Sequence, residues 1–355
     1  MSNDNLPDEK RANLKLDFSG CNPVLVEVTR GGIVESRHRG SIAVVDVQGN
    51  VQAAWGDITQ PVYGRSSVKA FQALPMLETG AADEFGFSDD EISLSVASHG
   101  GEEVHTKTAA SMLTKMGLGE DDLECGAHWP MLDEAARELA AKGLVPNQLH
   151  NNCSGKHAGM LALAKKIGVD TKGYVEQTHA VQQRIKGTME FMCGISLNGA
   201  AVDRDGCSAP TWAVPLENTA YGFARFAVPD DLPPAKAEAC KRIASSVFKH
   251  PFNVAGTGRY CTGMMEILKD KVFLKTGAEG FFSAALPEYG LGIALKCDDG
   301  STRGAEAMLT ATLRQIGVLD GDALEKAAQY ISVPLTNRRE FQIGEIRPAG
   351  ENFTF

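Results

Sequence analysis

The stretch GRSSVKAFQALPML, Gly64 to Leu77, sets a single lysine inside an otherwise apolar run. Val68, Phe71, Leu74 and Leu77 recur at helical spacing, and Ala70, Ala73 and Met76 leave almost no solvent face. The spacing predicts a buried helix. A buried ammonium is costly unless it is paired or gives up its proton, so Lys69 needs a reason to be there. Ser66 stands three residues earlier, on the same helical face and within reach of a hydrogen bond. A buried, neutral amine is able to take a serine's proton. In this apolar setting Ser-x-x-Lys reads as the nucleophile and base of a serine hydrolase, whereas the same spacing on a solvated helix would carry no meaning.

The segments around this helix place it in a fold. PVLVEVTRGGIVESRHRGSIAVVDVQGNVQAAWG, Pro23 to Gly56, is a set of short β-rich runs cut by Gly31-Gly32, Gly40 and Gly49-Asn50, which predicts antiparallel strands and hairpins. From about residue 66 to 268 the pattern is mostly helical. DEAARELAAKGLVP has a start, an apolar stripe and a glycine stop, and ACKRIASSVFKHP ends at a proline. Strand character returns in KVFLKTGAEGFFSAALPEYGLGIALKCDDGS, followed by the amphipathic RGAEAMLTATLRQIGVL. The expectation is an α/β (α+β) fold with one antiparallel sheet built from both ends, about 21–60 and 270–320. Helices flank it, and a helical subdomain is inserted at about 66–268. Residues 1–20 read as a flexible extension and 21–355 as one catalytic domain.

Composition narrows the partners. The 355 residues carry a net charge of −10, with no clustered Lys/Arg run, which argues against nucleic acid or an anionic membrane surface. No apolar segment is long enough to span a bilayer, and the polar first twenty residues lack the apolar core of an export signal. The expected location is the cytoplasm. Eight cysteines lie far apart and therefore read as thiols, metal ligands or reactive groups in preference to a disulfide framework.

Four more blocks carry chemistry. In VFLKTGAEG, Lys275-Thr276-Gly277 at a strand end matches the third element of penicillin-recognising hydrolases, in the right chain order after Ser-x-x-Lys. In SVASHGGEE, Ser98-His99-Gly100-Gly101 joins an apolar run to a helix beginning near Glu102, where glycines allow backbone to approach a ligand. NNCSGKHAGM puts Cys153 at a helix start with Lys156 and His157 within a turn, and DRDGCSAP supplies Asp205 and Cys207. Spacing alone allows two readings of these last blocks: a zinc site of Cys153, Cys207 and His157, or buried structural thiols.

The set RSSVK, ASHGGE, NNCSGKHAGM, DRDGCSAP and FLKTGAEG resembles the rhizobial-type bacterial L-asparaginase II family, also called class 3 L-asparaginases. The blocks fall in the family's order from about Pro23 to about Ile316, and NNCSGKH is the most specific. The resemblance implies the fold of serine β-lactamases and serine-dependent glutaminases. It implies two Ser-Lys tandems, Ser66 with Lys69 and Ser98 with Lys275, and zinc (Zn2+) held by Cys153, Lys156 and Cys207 with Asp205 nearby. Here it departs from the spacing argument by choosing Lys156 over His157, which would then support the site from behind. Arg65 and His99, next to the two serines, are the expected contacts for the polar ends of the substrate, with Asp205.

The implied activity is hydrolysis of L-asparagine to L-aspartate and ammonia through an acyl-enzyme, in a homodimer. Ser66 is the favoured nucleophile because its lysine lies on the same helix, although Ser98 with Lys275 offers the same chemistry. A glutaminase or a β-lactam-acting serine hydrolase on the same scaffold is the rival within the class. A zinc-responsive binding protein without turnover is the rival outside it, and in that reading a buried Ser-Lys pair has no purpose.

Overall fold

A computed structural model describes residues 20–349 and Phe353. Apart from Gly20 the extension read at 1–20 lies outside the described residues, as does the C-terminal ENFTF apart from Phe353. The main sheet is antiparallel and drawn from both ends of the chain. It contains β1 (Val24–Arg30), β2 (Ile33–Asp46), β3 (Val51–Trp55), β7 (Phe273–Gly277), β8 (Phe281–Leu286), β9 (Leu291–Cys297), β10 (Val333–Thr336) and β11 (Gln342–Pro348). The order is β10-β11-β1-β2-β9-β8-β7, with β3 paired to β2.

Both faces of the sheet are covered. Side chains alternate along a strand, so Ala43 and Val45 of β2 share one face with Ala294 of β9. There they pack with Phe281 and with Leu216 and Ala220 of the Leu216–Ala227 helix. Their neighbours Ile42, Val44, Ile293 and Leu295 belong to the larger core on the other face, with Met308 and Leu309 of the Thr302–Gln315 helix. The helical part packs around the opening stretch. The Lys69–Glu78 helix is buried from Lys69 to Leu77 and lies against the helices Ser154–Lys166, Ala180–Cys193 and Pro234–Lys249.

The structure adds strands that the pattern did not show. A second, three-stranded sheet of β4 (Pro61–Tyr63), β6 (Pro210–Pro215) and β5 (Val202–Arg204) sits within the segment read as mostly helical. Strands β10 and β11 extend the main sheet past residue 320. There β11 covers β1 with Val26 opposite Pro348 and Val28 opposite Ile346. The helix read in DEAARELAAKGLVP forms at Asp133–Ala141, yet none of its residues is buried.

Edge strand β7 matters most for function, because Lys275 sits at its centre opposite Ser283 of β8. All five residues of β7 are buried. The last of them, Gly277, allows β7 to approach the Ser66 turn. A Cβ built there would lie 2.7 Å from the Gly64 carbonyl oxygen and 3.2 Å from the Ser67 nitrogen. The glycine of Lys-Thr-Gly therefore brings the Lys275 strand against the turn that carries Ser66.

Candidate active site

Ser66 lies in a 3-10 turn, Arg65–Val68, that runs straight into the Lys69–Glu78 helix. The turn is locked from within by Gly64, whose carbonyl accepts from the Ser67 backbone (3.0 Å) and hydroxyl (2.6 Å). Ser283 Oγ of β8 donates to the Ser67 carbonyl at 2.9 Å, tying the turn to the sheet. Arg65 adopts φ +50°, a left-handed conformation uncommon for a side-chain-bearing residue. Its guanidinium is held by Asp205 Oδ1, with Nε at 2.9 Å and an Nη at 2.7 Å. Backbone strain of this kind persists where surrounding contacts enforce it, and such positions cluster at functional sites.

The two lysines converge on Ser98. Lys69 Nζ donates to Ser98 Oγ at 3.1 Å, to Cys153 Sγ at 3.1 Å and to the Ala97 carbonyl. Lys275 Nζ donates to Ser98 Oγ at 2.8 Å and to the Thr276 carbonyl at 2.8 Å. Lys69 and Lys275 are each 0% exposed, and Ser98 is 4% exposed. Burial, and then the neighbouring Lys69 charge, hold Lys275 well below the usual lysine range. Ser98 with Lys275 thus forms a hydrogen-bonded pair across 177 residues of chain. The spacing paired Ser66 with Lys69, but the hydrogen bonds of the Lys69 amine go to Ala97, Ser98 and Cys153. Ser66 is half-buried, so of the two hydroxyls it is the one more open to solvent.

Cys153, Lys156 and Cys207 also come together. Lys156 Nζ donates to Cys207 Sγ at 2.9 Å, and Cys153 is the neighbouring thiol. The Cys153 contact, with Lys156 behind it, holds Cys207 well below the usual thiol range despite burial. The same contact and burial push Cys153 up to about 12. Burial opposes the Lys156 charge, but Cys207, Cys153 and Asp205 outweigh it and raise its pKa. The fit to a metal follows from the donors. Two sulfurs and the Lys156 nitrogen lie in a buried cluster; zinc favours thiolates, and Lys156 would join them only after giving up its proton. Asp205 lies alongside, its pKa lowered against burial by Lys156 and Arg65.

His157 points elsewhere. Its Nδ1 meets the Tyr174 hydroxyl at 2.8 Å, and burial lowers it to about 3. Successive helical residues point about 100° apart, so Lys156 and His157 cannot both face Cys207. His99 is fully buried, with the Gly101 N–H donating to its Nδ1 at 3.2 Å and its Nε2 donating to Ser154 Oγ at 2.9 Å. Both nitrogens are therefore engaged within the protein. Burial, then His105 and Lys69, keep it neutral.

Several neighbours were not singled out by sequence reasoning. Asn152 Oδ1 accepts from Cys153 Sγ at 3.2 Å, and Ser154 fixes the His99 tautomer. Both stand inside the NNCSGKH block, which was the available signal. Among the described residues, one cluster of His, Cys and acidic groups has metal-ligand proximity: His38, Cys297 and Asp299. Arg303 Nε donates to His38 Nε2 (3.2 Å), so His38 Nδ1 carries the proton it shares with Asp299 (2.7 Å). Cys297 donates to the other Asp299 oxygen at 3.0 Å. The Arg303 guanidinium faces this cluster. A cavity of about 1100 Å³ lined by Phe226, Phe248, Phe252 and Met265 contains none of the candidate residues. All eight cysteines are free thiols, and no helix among the described residues is long and apolar enough to cross a membrane.

Comparison with known structures finds Mglu in its native form, 16% identical with TM-score 0.44, covering 85% of this chain and 71% of that one. It also finds a β-lactamase from Mycobacterium bovis, 11% identical with TM-score 0.39, covering 82% of this chain and 94% of that one. No curated protein matches the chain. The family profile of L-asparaginase II matches residues 26–348, from the first strand of the sheet to its last and across every candidate block. The chain belongs to the L-asparaginase II family.

Proposed function

We propose that this protein is an L-asparaginase that hydrolyses L-asparagine to L-aspartate and ammonia by Ser-Lys catalysis. One observation carries the reading: two buried lysine amines, Lys69 and Lys275, meet on the Ser98 hydroxyl beside the turn that presents Ser66. A nucleophile that must meet substrate has to be accessible, which favours Ser66. Ser98, enclosed by both amines, is suited to passing protons. Ser66 Oγ attacks the side-chain amide carbon, and its proton passes to Lys69 in its neutral amine form, which donates to two of its three acceptors only. The C–N bond breaks as the departing nitrogen receives a proton through Ser98, leaving as ammonia. Water then attacks the ester, aspartate departs, and the serine proton is restored. The Ser66 backbone N–H at the start of the turn serves the oxyanion.

Arg65 and Asp205 offer opposite charges for an amino acid's carboxylate and ammonium. Their existing ion pair (2.7 Å) keeps both in place before substrate arrives. Cys153, Lys156 and Cys207 would hold zinc next to this pair. When bound, zinc would supply a fixed positive charge that helps hold the substrate. A cytoplasmic homodimer with neither nucleic-acid nor membrane partners completes the proposal, supported by the acidic net charge and the family resemblance. Ammonia release from asparagine, set beside glutamine and a chromogenic β-lactam, tests it. Faster turnover of glutamine or of the lactam would move the activity to the corresponding relative, and no turnover of any would favour a binding protein.

A further inference from the structure

Ser98 is held by more than its lysines. Its backbone N–H donates to the Val254 carbonyl at 2.8 Å, so the short helix Pro251–Ala255 fixes where the hydroxyl stands. A stack of three rings runs in parallel. His99 lies on His105 (centroids 4.9 Å apart, 17° between planes), and His105 lies on Phe252 (5.4 Å, 8°). His105 also contacts the Phe252 carbonyl through Nε2 at 3.4 Å. The segment 252–257 is thus the wall against which Ser98 and His99 rest.

One carboxylate closes that wall. Glu102 Oε1 accepts from the Thr257 backbone N–H at 2.9 Å, and Oε2 accepts from the Thr257 hydroxyl at 2.7 Å. The Glu102 side chain is 17% exposed. The carboxylate lies directly over Gly256, where a Cβ would meet Oε1 at 2.3 Å and His105 Cε1 at 2.9 Å. Gly256 has φ +102°, open only to glycine in practice, so the turn is shaped to admit the carboxylate. From the other side Thr262 Oγ1 donates to the Gly256 carbonyl at 2.9 Å. Glu102 also begins the Glu103–Lys115 helix that carries His105. A single residue therefore joins the Ser98–His99 loop to the wall behind it.

We infer that Glu102 is a positioning residue for Ser98, acting through Thr257 and the 252–257 segment without touching substrate. The inference rests on the proposed Ser-Lys site. A carboxylate accepting two hydrogen bonds, one from backbone, is a charge-assisted clasp, and misplacing a catalytic group by about 1 Å costs up to about 100-fold in rate. Removing the clasp frees the turn, the Val254 carbonyl shifts, and the Ser98 hydroxyl loses its register between Lys69 and Lys275. The sequence ASHGGE holds serine and carboxylate four residues apart, but only the fold brings Thr257 to meet them.

The test compares the full-length parent with Glu102→Ala, Glu102→Gln, Thr257→Ala and the double variant Glu102→Ala/Thr257→Ala. Expected for Glu102→Ala is a fall in kcat of about 10- to 100-fold with KM within about twofold, since substrate contacts are untouched. Glu102→Gln, which still accepts from Thr257 N–H, should recover most of kcat. The double variant should be no slower than Glu102→Ala alone, because both changes open one clasp. Hydrogen exchange of the peptide containing Ser98 supplies a readout independent of turnover. It should speed up in Glu102→Ala and stay near parent in Glu102→Gln. An unchanged kcat and unchanged exchange in Glu102→Ala would overturn the inference, as would additive losses in the double variant. If the parent releases no ammonia from asparagine, the functional reading fails, and the exchange result alone decides whether Glu102 holds Ser98.

Discussion

Replacing Lys275 with methionine separates the chemistry from the packing. The amine makes two hydrogen bonds, to Ser98 Oγ and to the Thr276 carbonyl, both 2.8 Å. Methionine nearly matches its length and keeps the apolar stem, but leaves the Thr276 carbonyl without its lysine donor, at a cost of about 1–3 kcal/mol. Against this stands the removal of a buried amine, which commonly offsets such a loss. The variant should fold with a stability within about 2 kcal/mol of the parent at neutral pH. Losing the Lys275 amine from the proton path through Ser98 should lower kcat by about 100- to 10,000-fold.

The pH dependence has a definite sign. The Lys275 pKa is lowered in the folded state relative to about 10.4 in the unfolded chain. Below the folded value both states bind the proton, and the parent bears the full cost of burying the charge. Between the two values the unfolded chain binds more protons, so parent stability rises with pH, and the cost is gone above the unfolded value. Lys275→Met should therefore gain most over the parent at low pH and lose that advantage as pH rises. Parent kcat/KM should climb with pH as Lys275 sheds its proton. Ammonia release from pH 5 to 10, with thermal melts in the same buffers, reads both effects. A variant retaining more than about a tenth of parent activity, with a melting difference independent of pH, would show that Lys275 is neither a buried charge nor part of the proton path.

Other substitutions test the remaining parts. Ser66→Ala should abolish turnover in a folded protein, because a methyl cannot attack; near-normal kcat in Ser66→Ala, with turnover lost in Ser98→Ala, would reverse the two serines' roles. Lys69→Arg should be inactive, since a guanidinium keeps its proton, and substantial activity in steady-state assays would remove Lys69 as the base. Gly277→Ala should destabilise by about 1–3 kcal/mol and lower kcat, because its Cβ would press on the Gly64 carbonyl at 2.7 Å; denaturant titration measures the first and ammonia release the second. Chelation should raise KM more than it lowers kcat, and protein purified without chelator and free of zinc by metal analysis would remove the metal site.

The sheet was legible because Pro23–Gly56 and Lys271–Ser301 carry dense β-branched and aromatic runs cut by glycine. Strands β10 and β11 were not, since VPLT and QIGEIRP are short, half-exposed and mixed with charge and proline. The strand β6 was hidden because TWAV is bounded by Pro210 and Pro215 within a helical stretch. The residues of the site were legible as motifs, but their pairing was only partly so. Helical spacing places Ser66 and Lys69 on one face, yet a long lysine side chain reaches whichever buried acceptor the fold supplies. Here that acceptor is Ser98, 29 residues on. Spacing pointed to His157 beside the two cysteines, but in the fold His157 Nδ1 meets the Tyr174 hydroxyl and Lys156 Nζ meets Cys207 Sγ. The Glu102–Thr257 clasp joins residues 155 apart, with no local pattern to announce it.

Turnover by this site requires an acyl-enzyme formed on one of its serines. Rapid mixing with L-asparagine, acid quench and intact-mass measurement, followed by peptide mapping, tests it most directly. A transient adduct with the mass of an aspartyl group is expected, located on Ser66 and absent from Ser66→Ala. Ammonia release with no adduct at any time, together with solvent 18O entering aspartate in a single step in Ser66→Ala, would contradict it.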